Sequence, residues 1–92
     1  MFYVYILKSD KDSKCYIGST NDLKHRLKLH NQGRIFSTKN RIPFKLIYYE
    51  AYLSEKDARI REQALKNHGQ GITNIYKRIS NSLKLDMKEG AG

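Results

Sequence analysis

The sequence predicts an α+β domain. A small, three-stranded, mainly antiparallel sheet is flanked by helices in the order β-β-α-β-α-α. Three observations carry this expectation. Runs dense in Tyr, Val, Ile and Leu lie at 2–8, 15–19 and 44–53, with the composition of strands. The first two are separated by a short polar turn and read as a hairpin. Leucines, and later isoleucines, recur at helical spacing behind the second and third strands.

The elements follow in order. Tyr3, Val4, Tyr5, Ile6 and Leu7 make the first strand a buried one, and 9–14 is all polar. Gly18, near the end of the second strand, permits a bend or a close backbone approach. Thr20 or Asn21 is placed to cap a helix with Asp22 in its first turn. That helix runs to about Gln32, with Gly33 as its stop. Leu23 and Leu27 share one face, and Arg26 and His30, spaced i and i+4, lie beside them. Basic loop 34–41 follows and ends at Pro43, whose preceding residue must be extended. After the third strand, Ser54 and Asp57 resemble a capping box for a second helix reaching about Asn67. Gly69, Gln70 and Gly71 read as a tight break. Ile72, Ile75, Ile79 and Leu83 define a third helix over 72–83. Residues 1–83 are thus one domain, and polar 84–92 is expected to be a disordered tail.

The charge narrows the partner. Eighteen Lys and Arg stand against nine Asp and Glu, a net +9 on 92 residues, which points to a polyanion such as nucleic acid. A single Cys15 excludes an internal disulfide or a cysteine-cluster metal site and fits a reducing compartment. The N-terminus does not read as a signal peptide, and no apolar run approaches the roughly 18 residues that span a bilayer. A cytoplasmic location is the expectation.

Glu62 stands out among the candidates for chemistry. It shares a helical face with Ala58 and Leu65, and a carboxylate beside an apolar stripe needs a positive partner. Two readings compete: a salt bridge to Arg59 or Lys66, or a metal ligand at the edge of the core. The aromatic content is skewed, with seven Tyr and no Trp. Tyr48, Tyr49, Tyr52 and Tyr76 read as packing residues. Tyr5 and Tyr16 sit on opposite arms of the hairpin, where a suitable register puts both hydroxyls on one face. A phenol titrates near 10 and becomes a useful base only beside positive charge, which Arg26 and a metal would supply. Lys24 and Lys28 read as solvated charges, and His25 and His68 as ordinary surface histidines. There is no P-loop, paired Cys-x-x-Cys or dinucleotide glycine fingerprint.

Tyr3-Val4-Tyr5, ten residues, then Tyr16-Ile17-Gly18 and Asn21-Asp22-Leu23-Lys24-His25-Arg26 resemble the GIY-YIG nuclease superfamily. So do Ser37-Thr38-Lys39, the run from Pro43 to Glu50, and Arg61-Glu62-Gln63-Ala64-Leu65-Lys66. The resemblance covers 2–83 and is nearest to the superfamily's small, stand-alone bacterial branch. It implies a metal-dependent endonuclease acting on DNA phosphodiesters with low sequence specificity, RNA remaining open, and a single Mg²⁺ or Mn²⁺. By position, Tyr5 and Tyr16 match the motif tyrosines, Arg26 the motif arginine, and His30 a His-or-Tyr position. Glu62 matches the metal-binding glutamate, and Asn81 a late asparagine. Tyr5, helped by His30 or Tyr16, would take a proton from water, and Arg26 would stabilise developing charge. Arg34, Lys39 and Arg41 of the basic loop would hold flanking phosphates. The chain departs from the pattern at Tyr3, where the family has Gly, and at Ser19, where some members have Lys. The alternative is a non-catalytic nucleic-acid-binding module on the same scaffold, or a component of a repair complex docking through 72–83.

Overall fold

The computed structural model describes residues 1–67 and 69–91, with 86–91 described by backbone alone. His68 and Gly92 lie outside the described residues. The element order is β1 (Phe2–Ser9), β2 (Cys15–Thr20), α1 (Leu23–Asn31), β3 (Phe44–Tyr52), α2 (Glu55–Asn67), α3 (Gly69–Arg78) and α4 (Ser80–Ala91). The sheet is antiparallel, in the order β2-β1-β3. The central position of β1 explains its composition. Val4 to Leu7 are each no more than 1 % exposed, as a strand covered on both faces requires.

Alternation along β1 sorts the core into two clusters. Val4 and Ile6 point to one face and pack with Ala58 and Leu65 of α2 and Ile75 of α3. Tyr5 and Leu7 point to the other and pack with Phe44, Tyr16, Leu23 and Leu27, under α1. The hairpin register pairs Tyr5 with Gly18 and Leu7 with Tyr16, so both motif tyrosines share the α1 face. On β3, Tyr48 pairs with Ile6 but Leu46 with Leu7. Ile47 is therefore the extra residue of a bulge. The bulge lets Ile47 and Tyr48 both join the α2 side while Leu46 joins the α1 side.

Polar side chains fix the ends of these elements. The Asn31 amide, at the last residue of α1, accepts from the Phe44 backbone N–H (2.7 Å) and donates to the Phe44 carbonyl (3.0 Å). Fully buried Ser9 donates to the Arg41 carbonyl (2.6 Å) and accepts from the Lys11 and Asp12 N–H groups in the β1–β2 turn. Glu50, beside Tyr48 and Tyr52 on the α2 face, takes a bidentate pair from Arg61 at 2.9 and 3.0 Å. It also accepts from both tyrosine hydroxyls. Burial opposes ionisation of Glu50, but these donors outweigh it and hold the carboxyl down at about 2.

Several sequence expectations need correction. Asp22, not Thr20 or Asn21, caps α1, accepting from the His25 N–H at 3.0 Å. Gly33 does adopt φ 73 after the helix, the conformation for which glycine is favoured. Gly69, Gln70 and Gly71 form the first turn of α3 rather than a break. The single helix expected over 72–83 is two, α3 and α4, separated at Ile79. Backbone 84–91, expected to be disordered, continues α4. Lys, Leu, Met and Glu there are good helix formers, which polarity-based reasoning undervalued.

Candidate active site

Gly18 is where the site is assembled. Tyr5 lies directly across the ladder from it. A Cβ on Gly18 would stand 2.5 Å from the Tyr5 hydroxyl oxygen and 2.6 Å from its Cζ. The phenol therefore lies on bare backbone, where only glycine leaves room. From there its hydroxyl reaches His30 Nε2, 2.9 Å away. Both side chains are buried, at 1 % and 0 % exposure. Nδ1 of the same ring lies 2.8 Å from the Thr38 hydroxyl, also fully buried. Tyr16 closes the group, its ring centroid 5.0 Å from His30 and 6.4 Å from Tyr5.

The protons along this chain of contacts run in one of two directions, according to the His30 tautomer. The Thr38 hydroxyl has the Ile35 carbonyl, 3.5 Å away, as its own acceptor. Its oxygen is then free to accept from Nδ1–H. A neutral imidazole with its proton on Nδ1 offers Nε2 as an acceptor for the Tyr5 hydroxyl, and the other tautomer reverses both bonds. The ring is neutral at pH 7, because burial, and then the Arg26 charge, push the His30 pKa down to about 4. Burial raises the Tyr5 pKa. The Arg26 guanidinium acts on the same hydroxyl to lower it but does not offset burial, so the phenol stays above its ordinary value rather than below it as expected from Arg26. Arg26 is half-buried, and its Nε is buried with no hydrogen-bond partner among the described residues. An orphaned N–H donor of this kind is costly unless a ligand oxygen meets it.

Glu62 arrives from the other side of the sheet. It lies on α2 and accepts from Ser19 Oγ at 2.7 Å and from Lys66 Nζ at 2.7 Å. Ser19 pairs with Val4, so its side chain is on the α2 face of the edge strand, next to Gly18. Burial raises the Glu62 pKa, but Lys66 and Ser19 outweigh it and hold the group below its ordinary value. Its negative charge acts on Tyr5. The site thus straddles β2, with the tyrosines, His30 and Arg26 on one face and Glu62 on the other. Of the two salt-bridge partners read from the sequence, Lys66 is the one used. Arg59 pairs with Glu55, at 3.7 Å.

A family model described as the GIY-YIG catalytic domain matches residues 1–77. The chain belongs to the GIY-YIG family. Among its relatives, a UPF0213 protein of Clostridium perfringens is 45 % identical over 67 residues, covering 72 % of this chain and 71 % of that protein. A UPF0213 protein of Streptococcus pneumoniae is 40 % identical over 65 residues, covering 70 % of this chain and 65 % of that protein. The solution NMR structure of a UPF0213 protein from Bacillus halodurans superposes with TM-score 0.54 at 31 % identity, covering 86 % of this chain and 87 % of that one. These are small bacterial members of the family, and this GIY-YIG domain shares their fold.

The remaining candidates are dispersed around the domain. Asn81 is exposed on α4, which packs on α3 and β3. Arg34 is exposed. The Lys39 ammonium lies over the Phe36 ring, 4.8 Å from its centroid. Arg41 pairs with Asp12 at 2.7 Å and faces Phe44, so it fastens the loop to the β1–β2 turn. Thr38 escaped notice as a site residue because it sits in a polar, aperiodic run. Gly18 was read as permitting a bend or a close backbone approach, and what comes close to its backbone is the Tyr5 ring. No helix among the described residues is long and apolar enough to cross a membrane.

The family implies a divalent metal. Among the described residues no group of three or more His, Cys, Asp or Glu side chains is arranged to hold one. Mg²⁺ needs fewer, since it keeps most of its waters and is bound through one or two carboxylates plus substrate phosphate. Glu62 fits that role as an ionised oxygen donor at the rim, its side chain 17 % exposed. Lys66 occupies Oε2 and would have to give way or share the carboxylate.

Proposed function

We propose that this GIY-YIG domain is a metal-dependent endonuclease that hydrolyses DNA phosphodiester bonds with little sequence preference. The hydrogen-bonded chain Thr38–His30–Tyr5, laid over Gly18 beside an unpartnered Arg26 donor, carries this reading. Packing alone does not call for three buried polar groups in one proton path. In this reading a substrate phosphate meets Arg26 and supplies the acceptor that its Nε–H lacks, and the guanidinium neutralises charge in the transition state. Binding that anion cancels part of the positive field that depresses His30. The imidazole then becomes a better base when substrate is present. Nε2 takes the phenolic proton as the Tyr5 oxygen takes one from the attacking water. Tyr16, half-buried against His30, lines the approach. Glu62, held by Ser19, would bind Mg²⁺ or Mn²⁺, which supplies Lewis-acid neutralisation of the phosphate. The net positive charge supplies salt-sensitive affinity for the nucleic-acid backbone.

A second reading has its own observation. Both Glu62 oxygens already have donors, which suits a binding module that keeps the scaffold without cutting. Plasmid nicking in Mg²⁺, Mn²⁺ or chelator separates the two. The nuclease reading expects metal-dependent nicking that Glu62→Ala abolishes. Wild-type nicking no greater than that of Glu62→Ala in every metal would leave the binding module.

A further inference from the structure

The tyrosine excess has an outlet that proton chemistry does not use. Odd-numbered β1 residues face α1, so Tyr3 shares its face with Tyr5. Tyr49 of β3 is the direct cross-strand partner of Tyr5 on that face and is 52 % exposed. Tyr3 and Tyr49 meet edge to face, their centroids 5.8 Å apart. They form one wall of an open groove of about 510 Å³, whose other walls are Leu23 and Leu27 of α1 and Leu46 of β3. Its rim carries Asn21, Asp22 and Lys24. Asp22 Oδ1 accepts from the His25 N–H, and Lys24 is exposed.

We propose that this groove holds a single unpaired nucleobase, from a nucleotide next to the phosphodiester bound at Tyr5 and Arg26. The proposal rests on the nucleic-acid reading above and names the feature of the substrate that is selected. Four observations support it. The volume suits one planar ring system and lies in the range of small-ligand sites. The wall is an aromatic pair, and any base can stack on an aromatic ring without sequence preference. The groove lies beside the candidate site along the sheet, since its wall residue Tyr49 is the direct cross-strand partner of Tyr5. Cationic Lys24 at the rim suits the phosphate that must accompany a bound base, in a chain of net charge +9. A base reaches the groove only after leaving its stack. The domain therefore favours sites where unstacking is already done, such as a bulge, a mismatch or a single-stranded junction.

The test is binding in chelator, with no cleavage, to two fluorescent oligonucleotide duplexes. One is fully paired. The other carries a one-nucleotide 2-aminopurine bulge. Wild type, Tyr49→Ala and Tyr49→Phe are compared after circular dichroism confirms folding. Wild type should bind the bulged duplex more tightly and quench its 2-aminopurine. Tyr49→Ala should weaken that binding about 5- to 100-fold, the range for one stacked base, and leave paired-duplex affinity unchanged. Tyr49→Phe should keep both the preference and the quenching. Equal affinity of wild type for the two duplexes, or a Tyr49→Ala variant that matches wild type on the bulge, overturns the groove assignment alone. A change in the sedimenting mass of Tyr49→Ala without loss of bulge preference makes the groove a contact between copies and overturns it too. Wild type that binds neither duplex removes the nucleic-acid partner and both readings with it.

Discussion

Thr38→Val isolates the direction of the proton path. Valine matches threonine in shape and removes only the hydroxyl, at a position with 0 % exposure. His30 Nδ1 then loses its partner at 2.8 Å. A buried donor left unpaired costs about 1–3 kcal/mol. The ring can escape part of that cost by moving its proton to Nε2, where it donates to the Tyr5 oxygen 2.9 Å away. In that tautomer Nε2 no longer accepts, and the Tyr5 proton has no destination. The same energy range, applied to the reactive tautomer, predicts a cleavage rate about 5- to 100-fold lower. Three readouts follow. Urea unfolding should show a loss of about 1–3 kcal/mol. ¹⁵N-edited NMR of the histidine rings should show His30 protonated on Nδ1 in wild type and shifted toward Nε2 in the variant. Thr38→Ser, which keeps the hydroxyl, should restore both tautomer and rate. A Val variant that keeps the Nδ1–H tautomer and the wild-type rate would refute the reasoning.

Two further outcomes are expected. Gly18→Ala should cost about 1–3 kcal/mol, the usual price of overpacking, because its Cβ would lie 2.5 Å from the Tyr5 oxygen. It should also displace Tyr5 from His30, so unchanged stability together with an intact Tyr5–His30 contact by NMR would count against the packing described. The pH dependence of stability follows from the His30 pKa, lowered from 6.5 to about 4. Between those values the unfolded chain binds the proton and the folded chain does not. Stability is therefore present above about 6.5, falls as pH drops toward 4 and levels off below, by up to about 3 kcal/mol from this group. The carboxylates Asp12 and Glu50, held down at about 2, act at lower pH. The urea midpoint of wild type should slope through pH 6.5 to 4.5, and His30→Gln should lose most of that slope. Equal slopes would remove His30 as the cause.

The legible part of the fold was local. Strand composition placed β1, β2 and β3 to within a residue or two, and Gly33 ended α1 as glycine should. What periodicity could not supply was long-range pairing. The bulge at Ile47, which moves Glu50 and its tyrosines to the α2 face, follows from register. So does the pairing of Tyr5 with Gly18, which turns a flexible glycine into a seat for a phenol. At the site, Tyr5 and His30 were recognisable by resemblance and are in contact. Thr38 lay in the resembling run Ser37-Thr38-Lys39 but carried no assigned role, because one hydroxyl in a basic loop looks like any other until the loop folds over the ring. Glu62 illustrates two readings that coexist. It is salt-bridged to Lys66 and, in the proposal, is also the metal ligand. The helical run after α2 was misjudged because the pattern Ile72, Ile75, Ile79 and Leu83 continues through the break at Ile79.

The most direct test of the account is the single-turnover nicking rate of Tyr5→Phe in Mg²⁺. The substitution keeps the ring over Gly18 and removes only the hydroxyl that bonds His30. With the fold verified by circular dichroism, the rate should fall at least about 100-fold, the scale of a lost general base. A folded Tyr5→Phe variant that nicks at the wild-type rate would contradict the account.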